Sequence, residues 1–176
     1  MHQNISNNKW KRCFNELEDF LETLNSSSDN IVHTFKKHNE RYFITLEQHH
    51  NPDNTLEQYA FKLLKQNLPA LRNKVGEAHG RFLYNDEISH RVYQFEMWID
   101  DFFITEPNNG LGSILMRELV KYAKAQNVMY IRGAFSHIDD NNTSRREHFY
   151  TKHGFKVSEN GTICNMLYPK NTSSDI

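Results

Sequence analysis

The chain has 176 residues, 38% hydrophobic and 12% aromatic, enough to bury the core of one compact domain and too few for a second full domain. With 21 basic and 22 acidic residues the net charge is −1, which argues against a nucleic-acid partner or an anionic membrane surface. Cys13 and Cys164 are too few for a disulfide framework.

The N-terminus carries Asn, Lys and Trp where a secretory leader has an apolar run, and no stretch approaches membrane-spanning length. A reducing cytoplasm is the expected location. Trp10, Cys13, Phe14, Leu17, Leu21 and Leu24 fall on one helical stripe that ends in a polar loop at 25–30. Residues 1–28 therefore read as a helical extension, packing on the core or offering an edge for a homodimer contact. Residues 29–168 read as the main domain and 169–176 as a polar tail. Two strands, 31–37 and 41–47, flank the turn His38-Asn39-Glu40. Asp53 or Asn54 then caps an expected helix with apolar positions Leu56, Tyr59, Ala60, Leu63 and Leu64, interrupted at Pro69 and resumed through Leu71 to Val75. Residues 77–84 form a strand, hairpinned by Asn85-Asp86-Glu87 onto a longer one.

In that longer strand Tyr93, Phe95, Met97 and Ile99 alternate with Gln94, Glu96, Trp98 and Asp100, giving one apolar and one mixed face. The alternation fails at Asp100-Asp101, before Phe102-Phe103-Ile104, as one inserted residue would make it fail. The pattern predicts a β-bulge there. The strand leads through Thr105-Glu106-Pro107-Asn108-Asn109-Gly110-Leu111-Gly112-Ser113 into a helix whose apolar face is Gly112, Leu115, Met116, Leu119, Val120 and Ala123. Glycines at a strand-to-helix turn let backbone approach a ligand, and the first helical turn offers unpaired N–H groups with partial positive charge. The turn is a candidate pyrophosphate cradle, although Gly-x-Gly alone also serves plain connections. A P-loop lysine is missing, and Leu115 stands where a dinucleotide fingerprint has its third glycine.

Residues 130–135 read as another strand. Ser144-Arg145-Arg146-Glu147 matches a capping box opening a short helix that ends at Gly154, and closing strands follow near Lys156 and at 162–167. The order is an α/β arrangement around a mixed sheet. Inside the short helix, Phe149-Tyr150, three residues, then Gly154-Phe155 is a more specific signal than the two upstream glycines.

With the strand, the Gly-Leu-Gly-Ser turn, its helix and the next strand in order, this signal makes residues 90–158 similar to the GNAT superfamily of N-acetyltransferases. The resemblance implies a GNAT-like mixed, centrally splayed β-sheet flanked by helices, here with an added N-terminal helix. It implies acetyl-CoA as co-substrate, lying between two splayed parallel strands. The pyrophosphate would sit on Gly110, Leu111, Gly112 and Ser113 with Asn109 beside them, and the pantetheine on the backbone of Phe103, Ile104 and Thr105. Asn142, Arg145 and Lys152, around the short helix, are further candidate coenzyme A contacts. Residues 55–75 would shape the acceptor site. One departure stands out: the family usually has Arg or Gln three residues before the first glycine, where this chain has Pro107, and the turn is about two residues shorter.

Acetyl transfer to an amine needs one proton removed from the acceptor and one given to the leaving thiolate. Tyr150, with an ordinary pKa of about 10, suits an alkyl thiol and matches the tyrosine that commonly protonates the thiolate in the family. For the base, Glu96 on the mixed face ranks first, Asp100 and Asp101 lie nearer the bulge, and a water or His137 are alternatives. No metal is expected: His49 and His50 face apart on a strand, and His148 and His153 are five apart, not the three or four that align on a helix. The expected function is an acetyl-CoA-dependent N-acetyltransferase acting on a primary amine of a small molecule, an antibiotic or a protein. The alternative is a non-catalytic acyl-CoA-binding or regulatory module, and a third is an interaction protein built around the N-terminal helix.

Overall fold

A computed structural model describes residues 30–52, 56–66, 74–85, 94–134 and 143–167. In chain order the elements are β1 (Asn30–Lys37), β2 (Glu40–His50), β3 (Leu56–Lys65), β4 (Lys74–Asn85), β5 (Gln94–Ile104), α1 (Leu111–Ala125), β6 (Tyr130–Ala134), α2 (Thr143–Lys152), β7 (Lys156–Val157) and β8 (Thr162–Met166). The expected N-terminal helix, the 86–87 turn and the polar tail lie outside the described residues. The strands form one sheet in the order β1-β2-β3-β4-β5-β6-β8-β7, antiparallel everywhere except between β5 and β6.

β1 and β2 pair across a two-residue turn in which His38 and Asn39 both have positive φ, 49° and 64°. That is the turn whose twist matches the strands it joins. The helix expected from Leu56 to Leu64 is not formed; of its expected resumption, Val75 lies in β4 and residues 67–73 lie outside the described residues. Residues 56–65 are β3, paired with β2 on one side and β4 on the other. Leu56, Tyr59, Ala60, Leu63 and Leu64 fit a helical face, but Phe61 falls off it and is buried with Tyr59 and Leu63. Those three sit at period two and point into the core, so burial on a strand face overrides the helical spacing.

One face of the sheet holds the core. Tyr42, Ile44, Leu46, Ala78, Met97 and Ile99 pack there against Leu111, Leu115, Met116 and Leu119 of α1, with Tyr150 of α2 and Phe155 at its far end. Each fully buried side chain of this size contributes about 1.5–3 kcal/mol. The opposite face of β4, β5 and β6 carries Glu77, Arg81, Glu96, Trp98 and Arg132, which follows from their register.

The bulge is formed. His79 pairs with Asp101 and Gly80 with Ile99, so Asp100 is the extra residue of β5. Gly80 is required there. A β-carbon on it would lie 1.8 Å from the Trp98 carbonyl oxygen and 2.6 Å from Tyr59 Oη, and the Tyr59 hydroxyl donates to that same carbonyl at 3.0 Å. The bulge is thus built from three strands.

Candidate active site

β5 and β6 pair in parallel only from Glu96↔Tyr130 to Ile99↔Gly133. Past Ile99, β6 continues with β8, pairing Ala134 with Thr162, while among the described residues β5 continues with β4 alone, ending at Ile104↔Gly76. The sheet is splayed at the bulge. Thr105 N–H donates to the Val75 carbonyl at 2.9 Å and its hydroxyl to the same oxygen at 3.1 Å. Backbone groups alternate sides along a strand, so Thr105 and Phe103 turn to β4, and Phe102 and Ile104 present N–H and C=O to the gap. Of the three residues expected to hold a pantetheine chain, Ile104 faces the gap. Phe102 was missed because its orientation depends on counting through the bulge.

The turn after β5 brings Gly110, Leu111, Gly112 and Ser113 to the start of α1. Asn108 and Gly110 have positive φ, 67° and 76°, which is why Asn and Gly stand there. Asn109 Oδ1 accepts from Leu111 N–H at 3.2 Å, and its amide nitrogen donates to Glu106 at 3.3 Å. These two residues serve the turn itself. The N–H groups of Gly112 and Ser113 belong to the first helical turn, where no intrahelical acceptor exists. Gly112 also lets elements close up: a β-carbon on it would lie 3.3 Å from Ile104, 3.4 Å from Phe149 and 3.7 Å from Phe102. Glu106 anchors the turn to Lys65 Nζ at 3.4 Å, and Lys65 also holds Glu40 at 2.8 Å, which keeps the Glu40 carboxyl below its usual range.

α2 places Tyr150 beside the gap. The Phe-Tyr-x-x-x-Gly-Phe pattern has a clear geometry: Gly154 takes φ 85° to end the helix, and the Tyr150 carbonyl accepts from both His153 and Phe155 N–H. Its ring is then held by Phe149, Phe155 and Phe102 at 5.3, 5.4 and 6.5 Å. Burial first, and the Asp101 carboxylate second, push the Tyr150 phenol up to about 12, against a smaller opposite effect of Arg146. Lys152, two residues further on, brings Nζ to 3.5 Å from Ser113 Oγ, joining the two helices at the cradle. Arg145 is exposed on the first turn of α2. Ser144 lies inside that turn. Asn142 and His137 lie outside the described residues.

The candidate bases are in different situations. Glu96 Oε2 lies 3.1 Å from Arg132 Nε, an ion pair whose N–H is not aimed along the contact. Asp100 is paired with Arg81, which stacks over Trp98. Asp101 has no cationic partner among the described residues; its carboxylate accepts from Phe102 N–H at 2.8 Å, at the open edge. No group of three His, Cys, Asp or Glu among the described residues could hold a metal ion.

In sequence, 51 residues are 43% identical to YocC, an uncharacterized protein of Bacillus subtilis (strain 168), covering 29% of this chain and 31% of that one. The match spans under a third of that relative. Among solved structures, the PaiA N-acetyltransferase of Thermoplasma acidophilum, in complex with coenzyme A, is 15% identical with a TM-score of 0.45, covering 63% of this chain and 62% of its own. A GNAT family acetyltransferase of Elizabethkingia anophelis with acetyl-CoA bound is 14% identical with a TM-score of 0.44, covering 70% and 98%. The family model of the GNAT acetyltransferases matches residues 10–155, which takes in the splayed strands, the glycine turn and all of α2, and the chain belongs to that family.

Proposed function

We propose that this protein transfers the acetyl group of acetyl-CoA to an amine, carried by a small molecule or by a protein. The observation that carries the reading is the one-sided pairing of β5 beyond Asp100, which among the described residues leaves an open strand edge between the α1 N-terminus and Tyr150 in a chain of this family. The residues present fit the group. Gly112 and Ser113 offer N–H donors for a pyrophosphate, α1 has no acid in its first turn to repel one, and the Ile104 N–H with the Phe102 and Ile104 carbonyls offer a donor and acceptors for the amides of a pantetheine chain, the Phe102 N–H being held by Asp101. When bound, acetyl-CoA supplies an activated acyl carbon and a thiolate leaving group.

The chain's own residues then move two protons. An amine reaches the site largely as ammonium, and the Asp101 carboxylate, directly or through a water, takes its proton and frees the nitrogen lone pair to attack. Tyr150 Oη gives a proton to the departing sulfur. Its raised pKa keeps the hydroxyl protonated at neutral pH, and the same dry surroundings raise the basicity of a thiolate beside it, so donor and acceptor stay matched. In this arrangement Glu96 is a structural acid, neutralised by Arg132.

Calorimetry and thermal melting with acetyl-CoA, followed by thiol release with a panel of amines, test the reading. Ligand in hundredfold excess over its dissociation constant should raise the melting temperature by roughly 5–10 °C, and at least one amine should accelerate thiol release. Absence of both heat and shift refutes the cofactor. Tight binding with no thiol release from any amine identifies a non-catalytic acyl-CoA-binding module instead.

A further inference from the structure

The turn before α1 lacks a basic side chain of its own, since Pro107 offers neither a side-chain donor nor an N–H. A cation nevertheless reaches it from elsewhere in the fold. A β-carbon built on Gly110 would lie 2.8 Å from Nζ of Lys37, the last residue of β1. Further along the same pair of elements, His33 Nδ1 lies 3.6 Å from Glu118 Oε1. Four residues of strand span about 13 Å and eight of helix about 12 Å, so both approaches fit one alignment of β1 along α1, with Lys37 at the Gly110 end.

The electrostatics of that position are informative. A helix N-terminus is its positive end; α1 has no acid in its first turn, yet Lys37 and Lys152 both approach this end. Lys62, Lys65 and Lys74, on neighbouring strands, each hold a carboxylate. Lys37 holds none among the described residues. Two ammonium groups at the positive end of a helix repel it and one another, and an anion between them reverses both signs.

On the reading that acetyl-CoA is the co-substrate, the geometry points to Lys37 as the residue that binds the pyrophosphate, in place of the side chain that the turn lacks. Its Nζ donates to a phosphate oxygen while Gly112 and Ser113 donate from the helix end. Gly110 is the residue that admits it, for a side chain at that position would occupy the space of the ammonium.

The test measures dissociation constants of CoA, 3′-dephospho-CoA and pantetheine for the full chain as wild type, Lys37→Met and Lys37→Arg. Lys37→Met should weaken CoA and 3′-dephospho-CoA alike by roughly 10- to 50-fold, the range of a lost charge-assisted hydrogen bond, and Lys37→Arg should recover most of the loss. Pantetheine, which has no pyrophosphate, should bind both variants as it binds wild type. Unchanged CoA affinity in Lys37→Met overturns the assignment, as does a loss confined to CoA, which would move Lys37 to the 3′-phosphate, or an equal loss for pantetheine, which would make it structural. A wild type that binds neither CoA nor 3′-dephospho-CoA refutes the cofactor reading itself.

Discussion

The two halves of β5 are made of similar residues and do different things. From Glu96 to Ile99 the strand is paired on both sides, and its acid is neutralised by Arg132. From Asp101 to Ile104 it is paired, among the described residues, only with β4, and its acid rests on a backbone amide. One residue separates them. Inserting Asp100 changes which backbone groups face β6 and ends the parallel pairing, so the same strand is paired on both sides before the bulge and on one side after it, where the proposed function puts the ligand. The role of a carboxylate here follows from what neutralises it, not from its place in an alternating pattern.

The strongest way to break that comparison acts through the group facing the second half. Tyr150→Phe keeps the packed ring and removes the proton donor, so turnover should fall by roughly 10²- to 10⁴-fold while acetyl-CoA affinity stays within a few fold. Steady-state kinetics beside calorimetry read both quantities; near-normal turnover removes Tyr150 as the acid. A second pair of variants sets one half against the other. Asp101→Asn should lower turnover by on the order of 10²-fold, and Glu96→Gln by less than about threefold with a modest drop in melting temperature, because it strands Arg132. The reverse ranking would return the base to the paired half.

A smaller effect sharpens the description of α2. Burial first, then Lys152 and Arg117, hold His153 below its ordinary 6.5, and its Nε2 is buried with no hydrogen-bond partner. Between the folded value and about 6.5 the unfolded chain binds more protons than the folded one, so this residue costs stability as pH falls below about 6.5 and nothing above it. Because the side chain is partly exposed, screening keeps the effect small. The melting temperature of wild type should fall on the order of 1 °C more than that of His153→Gln between pH 7.5 and 5.5; parallel curves would show that His153 is not responsible.

The bulge could be read from the sequence because it breaks a period that is otherwise clear: two acids followed by Phe102-Phe103-Ile104 fit neither face. The end of α2 could be read because glycine is the residue that takes φ 85° at little cost. The strand at 56–65 was misread as helix because its leucines satisfy both periods, and only the burial of Phe61, a tertiary fact, decides between them. Which of Glu96, Asp100 and Asp101 has a cation beside it was not legible, because that depends on where Arg132 and Arg81 reach. Lys37 was invisible for the same reason. Its relation to Gly110 exists only once a hairpin is laid along a helix that lies far downstream in the chain.

The order of the strands carries a kinetic consequence. From β1 to β5 each strand lies beside its predecessor, so those pairings close short loops and can form early. The β5–β6 seam requires the chain to traverse the whole of α1 before Glu96 meets Tyr130, and the loop entropy of that closure comes due before its contacts are made. The gap lies on this late seam. A ligand bound there should therefore act by slowing unfolding, with the rate of folding nearly unchanged.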